Sequence, residues 1–438
     1  MPDCNDLPRV LILCDEPINR IGGGGVTMGN LFRGWPKDRL AQVWAHHRFE
    51  IDTDICPHYL RLGAHAMPGS GWLPAAVKRQ RTLAKRLRAL IRPGLRLDYG
   101  YVRRWAADFA PEVIYSQATP YPMYTWWLPR WLSKDLGVPL VNHIMDDWPT
   151  AIEAEWPPLL GLILKPLLRQ QLHALFGAAA CNLAISQQMA DAFARRYDHA
   201  FIPFHNAVDL DQWTSPKTDY RVSGTRFRVV YLGALAENMQ LLSLRDVAHA
   251  VSGLAIQGAP IELIVYTGAI YFDYFQQYLG DLPAVTHGGT VAREELCTRL
   301  AEADLLVIPV NFDPRSLLMN RYSMPTKVPE YMASGTPILV YGPSQVPPVE
   351  YARREGWGYV VDRQDPVLLR SALMELMTSE PLRARLGRRA RELAISNHDA
   401  RVVRRQFRAV LSAAAQSKAT RTPIQIVAES MSNGIQLP

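Results

Sequence analysis

Tyr322-Ser-Met-Pro-Thr-Lys-Val-Pro-Glu-Tyr-Met-Ala-Ser-Gly-Thr-Pro-Ile-Leu-Val-Tyr341 crowds hydroxyls, a lysine and a glutamate into a turn ahead of a helix. Pro325 is suited to open that helix, because a first-turn residue needs no N–H and the free amides around it favour negative charge. Thr326 and Lys327 fall on the opening turn. A helix running to about Ser334 sets Glu330 at i+4 from Thr326 and i+3 from Lys327, so a carboxylate faces the same mouth as the anion donors. Gly335 ends the helix, and Pro337 to Tyr341 reads as the next buried strand. The stretch is a candidate anion site. An ordinary connecting helix with a Ser/Thr start, a Gly stop and an exposed Lys–Glu pair fits the same pattern.

The strand that ends this stretch belongs to a series. Apolar runs recur at Phe227 to Leu235, Ile261 to Tyr266, Val285 to His287 and Leu305 to Pro309, each followed by a helical segment. Upstream, Arg9 to Cys14, Pro111 to Tyr115, Val138 to Met145 and Ala179 to Ser186 repeat the plan, with Ser186 placed to cap the helix after it. Such alternation predicts α/β units with parallel, doubly wound sheets. The polar, turn-forming run Ser215 to Thr225 separates the two series. The expected organisation is a first domain over 1–215, a second over 225–400, a closing helix over 401–415 and a tail over 416–438.

At 438 residues and 48% hydrophobic, the chain is long enough for domains with full cores. Five cysteines, none in a Cys-x-x-Cys pair, argue against a disulfide framework or a zinc module and fit a reducing, cytoplasmic setting. The N-terminus enters a strand-like run without the pattern of a signal peptide. The most apolar segments are interrupted by Lys165 and Asn182 and fall short of the ~18 to 20 residues that span a bilayer. Net charge is +7. Ala76 to Arg92 is basic throughout, with Lys78, Arg79, Arg81, Lys85, Arg86, Arg88 and Arg92, no acid among them, interleaved with Leu83, Leu87, Leu90 and Ile91. That is a basic amphipathic helix, continued toward Arg104; it suits an anionic membrane surface through 78–104 or a solvated face, and no nucleic-acid module accompanies it.

Two further places carry chemistry. Gly22, Gly23, Gly24 and Gly25 follow the first strand as a loop that lets backbone approach a ligand and present N–H groups to phosphate, although the spacing is not G-x-G-x-x-G. The strand Val138 to Met145 ends in Asp146-Asp147-Trp148-Pro149, and carboxyl ends of strands are where open α/β sheets bind ligands. His143, Asp146 and Asp147 are therefore catalytic candidates. Adjacent carboxylates on an extended segment point to opposite faces, so one of the two addresses a cleft, and the other suits a helix cap.

The opening stretch resembles the nucleotide-sugar signature of the family 4 glycosyltransferases, in the form Ser-x-Pro-x-Lys-x-x-Glu-Tyr-Met-Ala-x-Gly-x-Pro, matched by Ser323, Pro325, Lys327, Glu330, Tyr331, Met332, Ala333, Gly335 and Pro337. Phe201 to Asp209 resembles the family's Ile-x-Asn-Gly-Val-Asp segment, with Ala207 for Gly. The resemblance implies the GT-B architecture, two doubly wound Rossmann-like domains facing across a cleft with the C-terminal helix crossing back. It implies a retaining hexosyltransferase that uses a nucleoside diphosphate sugar, UDP- or GDP-linked, without metal or other cofactor. Donor binding then falls to Gly233, Arg321, Ser323, Thr326, Lys327 and Glu330, with Gly22 to Gly25 beside the diphosphate and acceptor. The acceptor it implies is a glycan or lipid-linked saccharide of the cell envelope, handled by a cytoplasmic or peripheral membrane enzyme. Two departures stand out. The family's Arg and Lys-Gly after the glycine are replaced by Ala234 to Gln240, and the first signature Glu is Tyr322. They keep open a non-catalytic, nucleotide-binding member of the fold. A dinucleotide-dependent oxidoreductase is disfavoured, because no G-x-G-x-x-G precedes a suitably spaced acid.

Overall fold

A computed structural model describes residues 7–19, 23–45, 50–62, 99–119, 124–204, 206–222 and 224–417. The basic segment expected at 76–92, Gly22 and the tail from 418 lie outside these residues. The chain divides into two units, Met1–His205 with Val402–Leu437, and Asn206–Arg401.

The first unit is built on seven parallel strands: β1 (Val10–Leu13), β2 (Leu40–Trp44), β3 (His58–Arg61), β4 (Val113–Ala118), β5 (Leu140–Ile144), β6 (Cys181–Ala184) and β7 (Ile202–Pro203), in the order β3-β2-β1-β4-β5-β6-β7. The central strands are buried along their whole length, as expected of a parallel sheet covered on both faces. β2, β3 and the two-residue β7 escape the sequence reading; β3 is an edge strand whose His58, Tyr59 and Arg61 are exposed, so it carries no long apolar run. The closing helix Ala400–Gln416 contributes its residues from 402 onward to this unit. Phe407 meets Phe32, Tyr115 and Phe204 edge to face, and Arg408 donates to the Gly34 carbonyl at 2.7 Å.

The second unit has six parallel strands: β8 (Phe227–Leu232), β9 (Ile261–Tyr266), β10 (Val285–Gly289), β11 (Leu305–Pro309), β12 (Ile338–Tyr341) and β13 (Tyr359–Val361), in the order β10-β9-β8-β11-β12-β13. Two hydrophobic layers sandwich this sheet. Val229 and Tyr231 join Leu244, Val247 and Leu373 on one face, while Val230 joins Tyr331, Val349 and Leu393 on the other. Within the polar run expected to separate the two series, Tyr220 is buried, and its carbonyl accepts from both Nε and Nη2 of Arg383. No described helix is long and apolar enough to cross a membrane.

Candidate functional site

In the second unit the strand order reverses between β8 and β11, and ligands of open α/β sheets bind outside the carboxyl ends of strands at such a switch. β8 ends at Leu232, and the chain turns at Gly233 with φ +151°. A Cβ there would stand 2.5 Å from Lys327 Nζ and 3.1 Å from the Tyr231 hydroxyl, so glycine is what lets the lysine reach this turn. Lys327 Nζ lies 4.0 Å from the centre of the Tyr231 ring. Such a contact holds an ammonium in place with about 0.5 to 2 kcal/mol.

Lys327 leads directly into the helix Val328–Ser334, which Gly335 ends in the left-handed conformation. Tyr331 ties this helix to β8: its hydroxyl accepts the Leu232 N–H at 2.8 Å and donates to the Leu232 carbonyl at 3.2 Å. From the other side Asn206 Nδ2 donates to the Thr326 carbonyl at 2.7 Å. The position of Lys327 is thus set by bonds on both sides of it. The sequence expectation for Pro325 needs correction. Its carbonyl closes a turn with the Val328 N–H, and Pro329 takes the first-turn slot of the helix. The helix is seven residues long, so anion preference here comes from the charge of Lys327 more than from aligned peptide dipoles.

Among the described residues neither the Lys327 ammonium nor the Glu330 carboxylate has a hydrogen-bond or ion-pair partner. Both side chains are half-buried. Desolvation pushes Lys327 down to about 7, against the pull of Glu330, and pushes Glu330 up to about 7, against Arg293 and then Lys327. A cation and a carboxylate, each costly to ionise and neither hydrogen-bonded nor ion-paired among the described residues, can gain from a ligand carrying both an anion and hydroxyl donors.

The remaining donor candidates sit differently. Ser323 is buried, and its hydroxyl donates to the Met319 carbonyl at 3.0 Å at the end of the helix Pro314–Asn320. Arg321 is exposed, with its guanidinium 5.0 Å from the Tyr322 ring centre. Thr326 is half-buried beside Lys327. The run Ala234 to Gln240 holds no basic residue of its own and is closed by neutral groups: Tyr231 donates to the Ala234 carbonyl at 2.6 Å, and Asn311 Nδ2 to the Glu237 carbonyl at 2.7 Å. Sequence reasoning missed Tyr231, which looks like any core strand residue, and Arg293, whose charge reaches Glu330 from the turn after β10.

This geometry lies in the part of the chain that other proteins share. Residues 226–379 match the family model described as Glycosyl transferases group 1. No curated protein matches the chain. Among solved structures, the fold is similar to that of HepE from Anabaena, crystallised with UDP and glucose, at 15% identity and TM-score 0.62 over 92% of this chain and 99% of that one. The α,α-trehalose 6-phosphate synthase from Burkholderia multivorans aligns with TM-score 0.62 at 12% identity, covering 94% of this chain and 100% of its own. WaaG, a glycosyltransferase involved in lipopolysaccharide biosynthesis, aligns with TM-score 0.59 at 13% identity over 92% and 99%. The chain has the GT-B fold.

In the first unit, Gly23, Gly24 and Gly25 are the opening turn of the helix Gly23–Phe32 rather than a loop. A Cβ on Gly25 would collide with the Asn19 side chain and the Pro17 carbonyl, which bond each other at 2.8 Å. The three polar residues at β5 separate cleanly. His143 is fully buried in the strand, with Nδ1 2.7 Å from the Tyr115 hydroxyl, and burial lowers its pKa to about 3. Asp147 is also fully buried; it caps the helix Trp148–Glu155, accepting from the Thr150 N–H and hydroxyl, and pairs with Arg196 at 2.9 Å. Both are committed to the fold. Asp146 alone is half-buried. No group of acidic, histidine or cysteine side chains suited to a metal occurs among the described residues.

Proposed function

We propose that the protein is a glycosyltransferase that moves a sugar from a nucleoside diphosphate to an acceptor. The observation that carries this reading is the pair Lys327 and Glu330, half-buried and, among the described residues, without a hydrogen-bond or ion-pair partner, with Lys327 at the turn that ends β8. The pair lies inside the stretch that matches group 1 glycosyl transferases. A diphosphate would supply the anion that Lys327 lacks, and ribose hydroxyls would supply donors for Glu330. When the bond from the anomeric carbon to the diphosphate breaks, negative charge grows on the leaving oxygen, and a desolvated cation held in advance stabilises it. The UDP and UDP-glucose complexes of HepE support a UDP-sugar as the first donor to examine.

We assign the finer points by the family 4 resemblance: retention at the anomeric carbon, no metal or other cofactor, and Gly233, Arg321, Ser323 and Thr326 as further donor-site residues around Lys327 and Glu330. A cell-envelope glycan or lipid-linked saccharide as acceptor, a cytoplasmic location and contact with an anionic membrane through 78–104 belong to the same proposal. Calorimetry with UDP, GDP and ADP tests the donor site. Lys327→Ala and Glu330→Ala should each weaken nucleotide binding, and unchanged affinity in both would sink the assignment. The absence of a basic residue from Ala234 to Gln240 favours a second reading, a nucleotide-binding protein without transfer activity. That reading gains if UDP or GDP binds while no sugar nucleotide is consumed in the presence of lipid extracts.

A further inference from the structure

The helix Pro158–Gly177 of the first unit turns an apolar face outward. Leu159 is 81% exposed, Leu162 74% and Ile163 69%, and with the exposed Pro166 they fall at i, i+3, i+4 and i+7, one face of its first two turns. Among the described residues no other helix leaves three large aliphatic side chains so open. The inner face of the same helix is buried through Leu164, Leu168, Leu172 and Leu175. Core packing therefore accounts for one side only, and the other is suited to a partner that takes apolar surface out of water.

The outward positions change character along the helix. After Pro166 they are Arg169, Gln170 and His173. From Pro158 to Pro166 the helix rises about 12 Å, comparable with the ~5 to 10 Å to which interfacial helices sink their apolar faces. The charges around this tip suit phosphate. From Trp156 to Gly177 the chain carries no acid, and Glu155 before it belongs to the preceding helix, across Pro157 and Pro158. Arg169 is held by Glu153, with Nε and Nη2 at 3.0 and 2.8 Å. Lys165 has no hydrogen-bond or ion-pair partner among the described residues, and its Cε stands 3.1 Å from where a Cβ of Gly161 would be, so its stem lies along the apolar turns. No side chain caps the helix start, whose first amides favour negative charge. A second copy of the chain is the poorer occupant. Three side chains and a proline cover well under the ~800 Å² per partner of a stable interface, and a two-fold contact would set Lys165 toward its own copy.

We infer that the first two turns of this helix dock the protein on a lipid bilayer, with Leu159, Leu162 and Ile163 sinking below the headgroups while Lys165 and the helix start meet lipid phosphate. The helix does not cross the bilayer. This contact depends neither on the donor site nor on the basic segment 78–104. It differs from the latter in kind, because apolar burial survives salt and a contact of exposed charges is screened.

Flotation of the full chain with vesicles of phosphatidylcholine, alone or mixed with phosphatidylglycerol, at about 0.1 M and about 1 M NaCl tests it. Binding should persist at the higher salt. Leu162→Ser and Ile163→Ser should each weaken that salt-resistant binding roughly tenfold, and Ile163→Leu should leave it unchanged. Lys165→Gln should weaken binding about fivefold on the anionic vesicles at low salt. The substituted side chains lie in water in the free protein, so unchanged thermal unfolding verifies that the variants are folded. No binding by the wild type, binding abolished at the higher salt, or binding indifferent to both serine substitutions overturns the inference. So does a wild-type dimer in sedimentation equilibrium that Leu162→Ser dissociates, which would give this face to a second copy. Failure of the donor-site reading would show instead as unchanged nucleotide affinity in Lys327→Ala and Glu330→Ala, with vesicle binding intact.

Discussion

The affinity for a nucleotide sugar should pass through a maximum near neutral pH. In the free protein Lys327 is depressed to about 7 and Glu330 is raised to about 7, both by burial. A bound diphosphate restores favourable surroundings for the ammonium, so its pKa returns toward the ordinary lysine value of about 10.4. Above about pH 7 binding must then draw one proton from solution, and affinity falls by up to tenfold per pH unit. Between about pH 7 and about pH 8.5 the loss works out at roughly fifteenfold, since half of the lysine is already neutral at the start. Below about pH 7 Glu330 takes up a proton and loses strength as an acceptor, which gives the opposite limb. Isothermal titration with UDP-glucose or GDP-mannose, whose diphosphate esters keep constant charge over this range, reads both limbs. Lys327→Met should lower affinity and abolish the alkaline limb, and Glu330→Gln should abolish the acidic one. A flat profile, or an alkaline limb that survives Lys327→Met, would refute the argument.

Three further outcomes follow from the packing. Gly233→Ala should destabilise the protein by about 1 to 3 kcal/mol in chemical denaturation, because the backbone conformation suits glycine. It should also weaken nucleotide binding, because the new Cβ would stand 2.5 Å from Lys327 Nζ and displace the ammonium. Arg196→Met should cost about 3 to 5 kcal/mol by leaving the fully buried Asp147 without its ion pair, while nucleotide affinity, set in the other unit, stays unchanged. His143, lowered to about 3, binds its proton in the unfolded chain before it does in the folded one. Its contribution to stability is therefore full above about pH 6.5 and falls by about 1.4 kcal/mol per unit as pH drops below that, a loss that His143→Phe should remove from the acid limb of a denaturation series.

Much of this protein is legible in its sequence because the informative signals are local. Buried strands of a parallel sheet are continuous apolar runs, so β1, β4, β5, β8, β9, β11 and β12 read directly, and Ser186 caps its helix through the Met189 N–H as its position suggests. Gly335 ends its helix for the same kind of reason, a backbone angle that only its own residue type makes cheap. Edge strands such as β3 are exposed and carry no such run. The start of the helix at Val328 was not legible either, because two prolines competed for the first-turn slot and a turn closed by the Pro325 carbonyl settled it.

The sequence by itself determined the two α/β series, the short stretch holding Lys327 and Glu330, and the set of residues from which a site has to be drawn. Only the tertiary structure decided which members of that set the fold itself engages. His143, Asp146 and Asp147 are nearly adjacent in the chain, yet burial seals the first, a cap and the Arg196 ion pair engage the last, and Asp146 stays half-buried. Lys327 likewise gains its character from Tyr231 and Gly233, which the chain places far upstream and the sheet brings to the same turn. Desolvation and partnership are properties of neighbours in space, and neighbours in space are set by strand order, which no local pattern of residues spells out.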